Sequence, residues 1–386
     1  MKTIKHIKER VTDFENLYLA YIHARKNKRF RREVLAFSAN LEDNLHKIQA
    51  ALINQTYVPG RYHKRVIHEP AERLIMWQDF EHRVVQWAVY QVLNPAFASG
   101  YIEDSFACIS ERGTDAAAQR LYQFMQQAGR KQKQAGLDDA GRLKLRYWVQ
   151  KLDTSKFFYR IDHKVSLDLI GRKCGYDSWL MWLMDLFVNA PNERFGFPPG
   201  LGVDDLEPEE MLTDKGLAVG SLLNQMLANI NQNEVDHFAK RQLHIHYYVR
   251  YMDDIVMLGD SKAQLLEWRR LIADFMADRL KLELNPKKCF IQPISHGVDF
   301  CQYRIFPTHI KLKKATALRM KHNLKRIQRL YAEGQMSLER AQKAVTSYTG
   351  LLSHCDSWQL TQSIFGENGW FKLQRNSDKI DKDNTF

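Results

Sequence analysis

The sequence predicts an α+β fold, an antiparallel sheet backed by helices. Three observations carry this: a helical N-terminal third, two β-rich runs around a sharp polar break at 244–258, and a basic stretch of helical periodicity from 300 onward.

Residues 36–55 place Leu41, Leu45, Ile48 and Leu52 at helical spacing. Ahead of them Arg25–Arg32 (RKNKRFRR) holds six basic residues in eight. Residues 78–93 form a second amphipathic stretch, with Pro95 as the expected stop. Residues 126–145 are polar, contain Gly and lack an apolar period, and read as a surface connection. Lys144–Asp153 alternates like a strand, and Asp162 is suited to cap a helix beginning HKVSLDLI. Residues 189–216 read as a long loop rich in Gly, Pro and acids, followed by a helix from about 221 to 240.

His244–Leu258 reads as a hairpin with Asp253 and Asp254 at its turn. Ser261 with Gln264 suggests a capping box, and Leu265, Trp268, Ile272 and Phe275 continue as a helix. From Phe300 to Ala332 there is no acid but nine Lys/Arg, with Leu318, Leu324, Ile327 and Leu330 as an apolar face. This predicts a basic helix hairpin reaching about residue 355, which either contacts nucleic acid or is a solvated face. Residues 374–386 read as a polar tail.

Composition narrows the class. Of 386 residues, 45% are hydrophobic and 26% charged, which excludes disordered, collagen-like and disulfide-scaffold chains. No apolar run reaches the roughly 18 residues of a membrane span, and the first thirty residues lack a signal-peptide core. Five scattered Cys without a CxxC pair read as reduced thiols of a cytoplasmic protein, not as a zinc site. The net charge of +12 favours a polyanion partner through counterion release; a solubility surplus is the bland alternative.

Tyr251-Met252-Asp253-Asp254 is the sharpest feature. Adjacent carboxylates repel, and a divalent cation resolves the conflict; an ordinary Asp-Asp turn is the plain alternative. One hundred residues upstream, Asp153 ends a predicted strand. Brought opposite the hairpin turn, it completes a three-Asp cage of the kind that holds two metals about 3.5–4 Å apart. One metal would activate a primer hydroxyl, the other would neutralise a triphosphate and its leaving pyrophosphate.

The Asp153 block (LDTSKFF), GLAVGSLLNQ at 216–225, YMDD, LNPKKC and GVDFCQY occur in the order of reverse-transcriptase motifs. The chain resembles that family over about residues 60–355. Within it, FEHRVVQWA, YIEDSFACISERGTD, LNPKKCFIQPISHGVDFCQYRIF and SYTGLLSH look most similar to bacterial reverse transcriptases of diversity-generating retroelements and of groups linked to anti-phage defence.

The resemblance implies a right-hand fold with an antiparallel palm sheet and helical fingers and thumb. It implies RNA-directed DNA synthesis with two Mg²⁺ (Mn²⁺ as a substitute) and dNTPs. Asp153, Asp253 and Asp254 match the metal triad, and Thr154 matches the position whose carbonyl joins a metal. Phe158 matches the steric gate against a ribose 2′-hydroxyl, with core packing as its alternative. Gly220 and Gln225 match the motif under the nascent base pair, and Tyr251 and Met252 complete YMDD beside the substrate.

Arg73 and Arg83 are fingers candidates for the triphosphate, though each could equally form a surface ion pair. Lys288 matches the lysine that protonates pyrophosphate, with Lys287 as local competitor. Gly297–Tyr303 matches the primer grip, and the basic hairpin matches the thumb, offering Lys313, Lys314, Arg319, Lys321, Lys325 and Arg326 to nucleic acid.

Three departures stand out. Asn224-Gln225 replaces the Ser-Gln of the retroelement pattern, Val219 sits where many members carry Gln, and Ile109 stands where a triphosphate-contacting Arg is common, with Arg112 as its substitute. Asn224 and Ile109 tilt the expected role toward defence over diversification.

The expected organisation is a helical extension at 1–60, fingers at 61–145, palm at 146–298 with the 189–216 insertion, primer grip and thumb at 299–356, and a tail at 357–386. No RNase H or endonuclease block is evident. Expected partners are an RNA template, the DNA product, a dedicated noncoding RNA, and an accessory protein or a second copy, with no membrane. Competing readings are template-free or protein-primed DNA synthesis and a catalytically silent RNA-binding scaffold.

Overall fold

The computed structural model describes residues 3–67, 73–190, 193–197 and 210–374. Four helices open the chain: α1 (Ile7–Thr12), α2 (Phe14–Ala24), α3 (Arg32–Ala39) and α4 (Leu41–Ile53). The single helix expected over 36–55 is broken at Asn40, whose φ of −126° and ψ of 51° are not helical. This layer packs on α5 (Phe80–Ala98), where Phe80 meets Tyr21 and Phe37 edge-on.

Pro95 does not stop α5. It lies in the last turn, where Ser99 N still donates to its carbonyl at 3.3 Å, and buried Val89, Val92, Leu93 and Phe97 hold both sides of it in the core. The surface connection expected at 126–145 is also corrected, because α6 (Thr114–Ala135) runs through its first half. Its buried stripe (Ala117, Leu121, Phe124, Ala128) ends at Ala128, and the polar turns beyond continue a helix already nucleated.

The central sheet has five strands: β3 (Ser105–Phe106), β4 (Trp148–Asp153), β5 (Tyr248–Tyr251), β6 (Asp254–Gly259) and β7 (Phe290–Pro293). Their order is β3-β5-β6-β4-β7, with β3 parallel to β5 and the other pairs antiparallel. Alternation divides the side chains between two cores. Leu152, Ile255 and Met257 join the core of the N-terminal helices, while Val149, Val256 and Leu258 join the core under α6. The first core also takes α8 (His163–Cys174), α9 (Ser178–Val188) and α10 (Leu222–His237). Asp162 caps α8 by accepting from Val165 N at 3.0 Å, as the sequence suggests.

Ser261 caps α11 (Lys262–Phe275), but it accepts from Ala263 N rather than from Gln264 N, so the cap is tighter than a capping box. The loop expected at 189–216 is partly described, with 191–192 and 198–209 lying outside the described residues. Its two arms bond reciprocally at Gly196 and Leu212, and Phe197 stacks on Tyr159 at 4.3 Å.

Two smaller sheets flank the centre: the hairpin of β1 (His63–Ile67) and β2 (Arg73–Trp77), and the antiparallel meander of β8 (Val298–Phe300), β9 (Tyr303–Ile305) and β10 (Ile310–Leu312). The expected basic hairpin is present as α12 (Lys314–Ala332) and α13 (Leu338–Ser353). Its buried stripe is Thr316, Met320, Leu324 and Ile327, so Leu318 is a correction: it is 58% exposed because Met320 sets the phase of the helix. The expected tail is not all tail either. A further helix, α14 (Trp358–Phe365), and Phe371 complete this third core, and 375–386 lie outside the described residues. Among the described residues no helix is long and apolar enough to cross a membrane.

Candidate active site

Strand register brings the three carboxylates together. Asp153, the last residue of β4, lies directly opposite Asp254, the first residue of β6. The β5–β6 turn between Tyr251 and Asp254 has only two residues, Met252 and Asp253. Such a turn needs left-handed backbone, usually supplied by Gly, and here Met252 adopts φ +55°. Arg250 holds that conformation by donating from Nη1 to Met252 O at 2.8 Å. Arg250 is itself wholly buried, bonded to both oxygens of Asp236 at 2.8 Å and to Ser105 Oγ.

Below Asp153 the chain continues the sheet. Asn285 N donates to Asp153 O at 2.7 Å, and Ser155 N donates to Glu283 O at 2.8 Å. Thr154 is buried between them and bridges to Leu284, with Gln232 Nε2 at 3.4 Å from its hydroxyl.

The charges are only partly balanced. Lys288 Nζ lies 3.2 and 3.1 Å from the two oxygens of Asp153, and Asn285 Nδ2 donates to the same carboxylate at 3.3 Å. Lys151, two residues before Asp153 and so on the same face of β4, reaches Asp254 Oδ2 at 3.0 Å. Among the described residues no lysine forms an ion pair with Asp253, although the Lys288 charge acts on it from beside Asp153. Burial and the charges of Asp254 and Asp153 push the Asp253 carboxyl up to about 6.

Among the described residues no cluster of three His, Cys, Asp or Glu side chains stands arranged as a metal cage; Lys288 and Lys151 engage two of the three carboxylates. The donor set nonetheless fits a divalent cation. It is all hard oxygen, and burial, followed by the charges of Asp254 and Asp153, disfavours the Asp253 anion, a penalty that a bound cation would offset.

The other expected positions separate into groups. Phe158 follows buried Phe157 and is half-buried, their rings 5.5 Å apart, and its carbonyl accepts from Leu217 N at 2.7 Å. Gly220, at φ +119°, must be glycine: a Cβ there would lie 2.9 Å from Met76 O. The close approach is therefore to β2, which also bonds this segment through Met76 N and Val219 O. Gln225 accepts from Cys108 Sγ at 3.5 Å and shares a cleft with Arg83 and Gly220. Asn224 is buried and spends its amide on Ala218 O.

Arg83 is half-buried, 4.0 Å from Glu33, and Arg112 donates to the carbonyls of Ile102 and Ser105, bracing the loop before α6. Arg73 opens β2 opposite Ile67, and its side chain lies outside the described residues. Tyr251 packs edge-on against Phe300 of the meander at 6.5 Å, while Met252 is half-buried on the turn. Lys313 reaches Asp299 at 3.6 Å. Lys314, Arg319, Lys325 and Arg326 are exposed on α12, and Lys321 is half-buried.

Sequence reading missed Lys151, Arg250 and Asp236. Period-two alternation would have placed Lys151 beside Asp153. The pairing of Arg250 with Asp236 joins a strand to a helix, and no local pattern encodes it.

A palm-like sheet carrying a strand-end Asp opposite an Asp-Asp turn defines a right-hand polymerase of α+β class. The reverse transcriptase (RNA-dependent DNA polymerase) family profile matches residues 67–305, and the chain belongs to that family of RNA-directed DNA polymerases. No curated protein matches the chain. Similar solved structures include telomerase from Candida tropicalis with the TWJ fragment of telomeric RNA, at 12% identity and TM-score 0.45, covering 82% of this chain and 58% of that one. The apo telomerase of the same organism gives 10% identity and TM-score 0.47, over 85% and 63%. Its form truncated from the C-terminal domain gives 13% and 0.43, over 65% and 55%. The chain thus spans less than two thirds of each of these relatives.

Proposed function

We propose that this protein copies RNA into DNA at Asp153, Asp253 and Asp254, and does so on a dedicated noncoding RNA in anti-phage defence. The observation that carries the catalytic reading is the cross-strand pairing of Asp153 with Asp254 beside a turn whose Asp253 is pushed up to about 6 by burial and by both neighbours. Mg²⁺, with Mn²⁺ as a substitute, held by the three carboxylates and the Thr154 carbonyl, would supply activation of the primer hydroxyl and neutralisation of the triphosphate.

The chain's own groups do the rest. Lys288, 64% exposed beside Asp153, holds a proton that it can give to departing pyrophosphate. Phe158 excludes the ribose 2′-hydroxyl. Gly220 and Gln225 lie under the nascent pair, where Val219 leaves base-pair checking loose. Arg73 and Arg83 serve the fingers, and Lys313, Lys314, Arg319, Lys321, Lys325 and Arg326 follow the duplex backbone.

The proposed division is fingers at 61–145, palm at 146–298 and primer grip with thumb at 299–356, after a helical extension at 1–60. The defence role rests on Asn224 and Ile109, which depart from the diversity-generating pattern. Phage plating on cells carrying wild type or Asp253→Ala tests the role; equal plaque numbers would turn the reading to diversification. Primer extension by purified protein tests the chemistry. Synthesis without RNA template would favour the template-free reading, and no synthesis with any template or metal would favour the silent scaffold.

A further inference from the structure

Lys151 Nζ donates to two acceptors: Asp254 Oδ2 at 3.0 Å and the backbone oxygen of Asp299 at 3.4 Å. The first acceptor belongs to β6 of the central sheet, the second to β8 of the meander. From this arrangement we propose that Lys151 is a positioning residue, which holds the meander, and with it the primer terminus, in a fixed place relative to Asp254. The proposal rests on the polymerase reading above, in which 297–303 grips the primer. The motif that carries Asp153 begins at Leu152, so it gives Lys151 no role.

Alternation puts Lys151 where it can make this bridge. Val149 and Lys151 share one face of β4. Val149 is buried on that face in one core with Val298, Phe300 and Tyr303 of the meander. Lys151 continues the face toward Asp153, and its side chain is only 16% exposed. An ammonium covered to that degree is retained when its hydrogen bonds are met. One of its bonds stays within the central sheet, and the other leaves it for the meander.

The contact continues beyond Asp299. The Asp299 carboxylate lies 3.3 Å from Arg304 Nη1 and 3.6 Å from Lys313 Nζ. Lys313 immediately precedes α12, and its backbone N donates to Gln302 O at 2.9 Å in the β8–β9 turn. A set of polar contacts therefore runs from Asp254 through Lys151 and Asp299 to the start of α12. The edge-on contact of Tyr251 with Phe300 brings the meander near the turn, but an aromatic contact allows sliding that a directed hydrogen bond does not. Among the described residues Asp254 Oδ1 accepts no hydrogen bond, so Lys151 holds this carboxylate by one oxygen and leaves the other free. Lysine suits the task, because a compact charge with three rotatable donors can serve a carboxylate and a carbonyl together, whereas the planar fork of Arg cannot do so from the same place.

The test compares full-length wild type, Lys151→Met and Lys151→Arg. Electron paramagnetic resonance reads Mn²⁺ binding without nucleic acid, and single-nucleotide primer extension at saturating metal gives kcat and the KM for dNTP. Lys151→Met removes a cation from beside Asp254, so Mn²⁺ should bind on the order of tenfold more tightly. Its kcat should nonetheless fall about a hundredfold with little change in KM, because the primer terminus loses its fixed place. Lys151→Arg keeps the charge without the geometry, so its Mn²⁺ affinity should match wild type while its kcat stays low. Tighter metal with slower chemistry is a pair of changes that failed folding does not produce.

Wild-type kcat in Lys151→Met overturns the proposal. Unchanged or weaker Mn²⁺ binding in that variant overturns it too, since Lys151 would then support the carboxylates as a group. Full kcat in Lys151→Arg also overturns it, because charge alone would suffice. In each of these cases extension by wild type keeps the polymerase reading, whereas absence of extension by wild type removes that reading and the bridge with it.

Discussion

Arg250 donates from Nη1 to the carbonyl oxygen of Met252 at 2.8 Å, so a wholly buried guanidinium fixes the turn that presents Asp253. The same side chain bonds both oxygens of Asp236, and Tyr248 donates to Asp236 Oδ1 at 2.8 Å. The turn carrying Asp253 is thereby tied to α10 through a fully buried ion pair.

Breaking that pair leaves an uncompensated buried charge. Arg250→Met and Asp236→Asn are each expected to lower stability by about 3–5 kcal/mol in urea unfolding. Lys at 250 keeps the charge but not the fork, so Arg250→Lys should unfold at a higher urea midpoint than Arg250→Met while still losing most primer extension. Wild-type midpoints for both Met and Asn variants would contradict the tie.

Asp253 gives a prediction for the metal-free protein. Its folded carboxyl is raised from 3.8 to about 6. The native state therefore holds this proton more tightly than the unfolded chain does. Stability is undiminished below about pH 4, falls as pH rises through 4 to 6, and stays lower above, by about 3 kcal/mol at most. In chelator at pH 7, Asp253→Asn should be more stable than wild type, and the difference should vanish near pH 4. Equal stability of the two proteins at pH 7 would show that the repulsion is relieved some other way.

Much of this site was legible in the sequence because its parts are local. YMDD with β-rich flanks dictates a tight hairpin, and alternation to Asp153 dictates a strand end. Register brings the two together at Asp153 and Asp254, which motif order anticipated but spacing did not. The illegible parts are tertiary. Helix α6 outlasts its apolar stripe through cooperativity, and α5 runs through Pro95 because its last turns are buried. The phase of α12 follows Met320 instead of Leu318 because Met320 faces the α13–α14 core. Arg83, assigned to a triphosphate from sequence, stands in a cleft with Lys28 and Arg31, a meeting of segments more than fifty residues apart.

Phe158 is half-buried beside a buried Phe157, so truncating it removes modest packing. Phe158→Ala should raise the incorporation of ribonucleotides relative to deoxynucleotides by at least about tenfold, with stability reduced by no more than about 2 kcal/mol. Unchanged sugar discrimination in primer extension would return Phe158 to a packing role.

Lys321, Lys325 and Arg326 lie along α12, and Lys325 also sits 5.8 Å above the Trp370 ring. Replacing all three with Gln should weaken duplex binding at low salt and reduce the slope of log affinity against log salt by roughly 2–3. An unchanged slope in a salt titration would make them a solvated face.

The central claim is that Asp153, Asp253 and Asp254 act together on one reaction. Single-nucleotide primer extension on an RNA template with Mg²⁺, comparing wild type with Asp254→Asn, tests it most directly. The account predicts steady dNMP incorporation by wild type and a loss of about a thousandfold or more in the variant, since the reaction depends on charge neutralisation at that position. Comparable incorporation by the two proteins would contradict it.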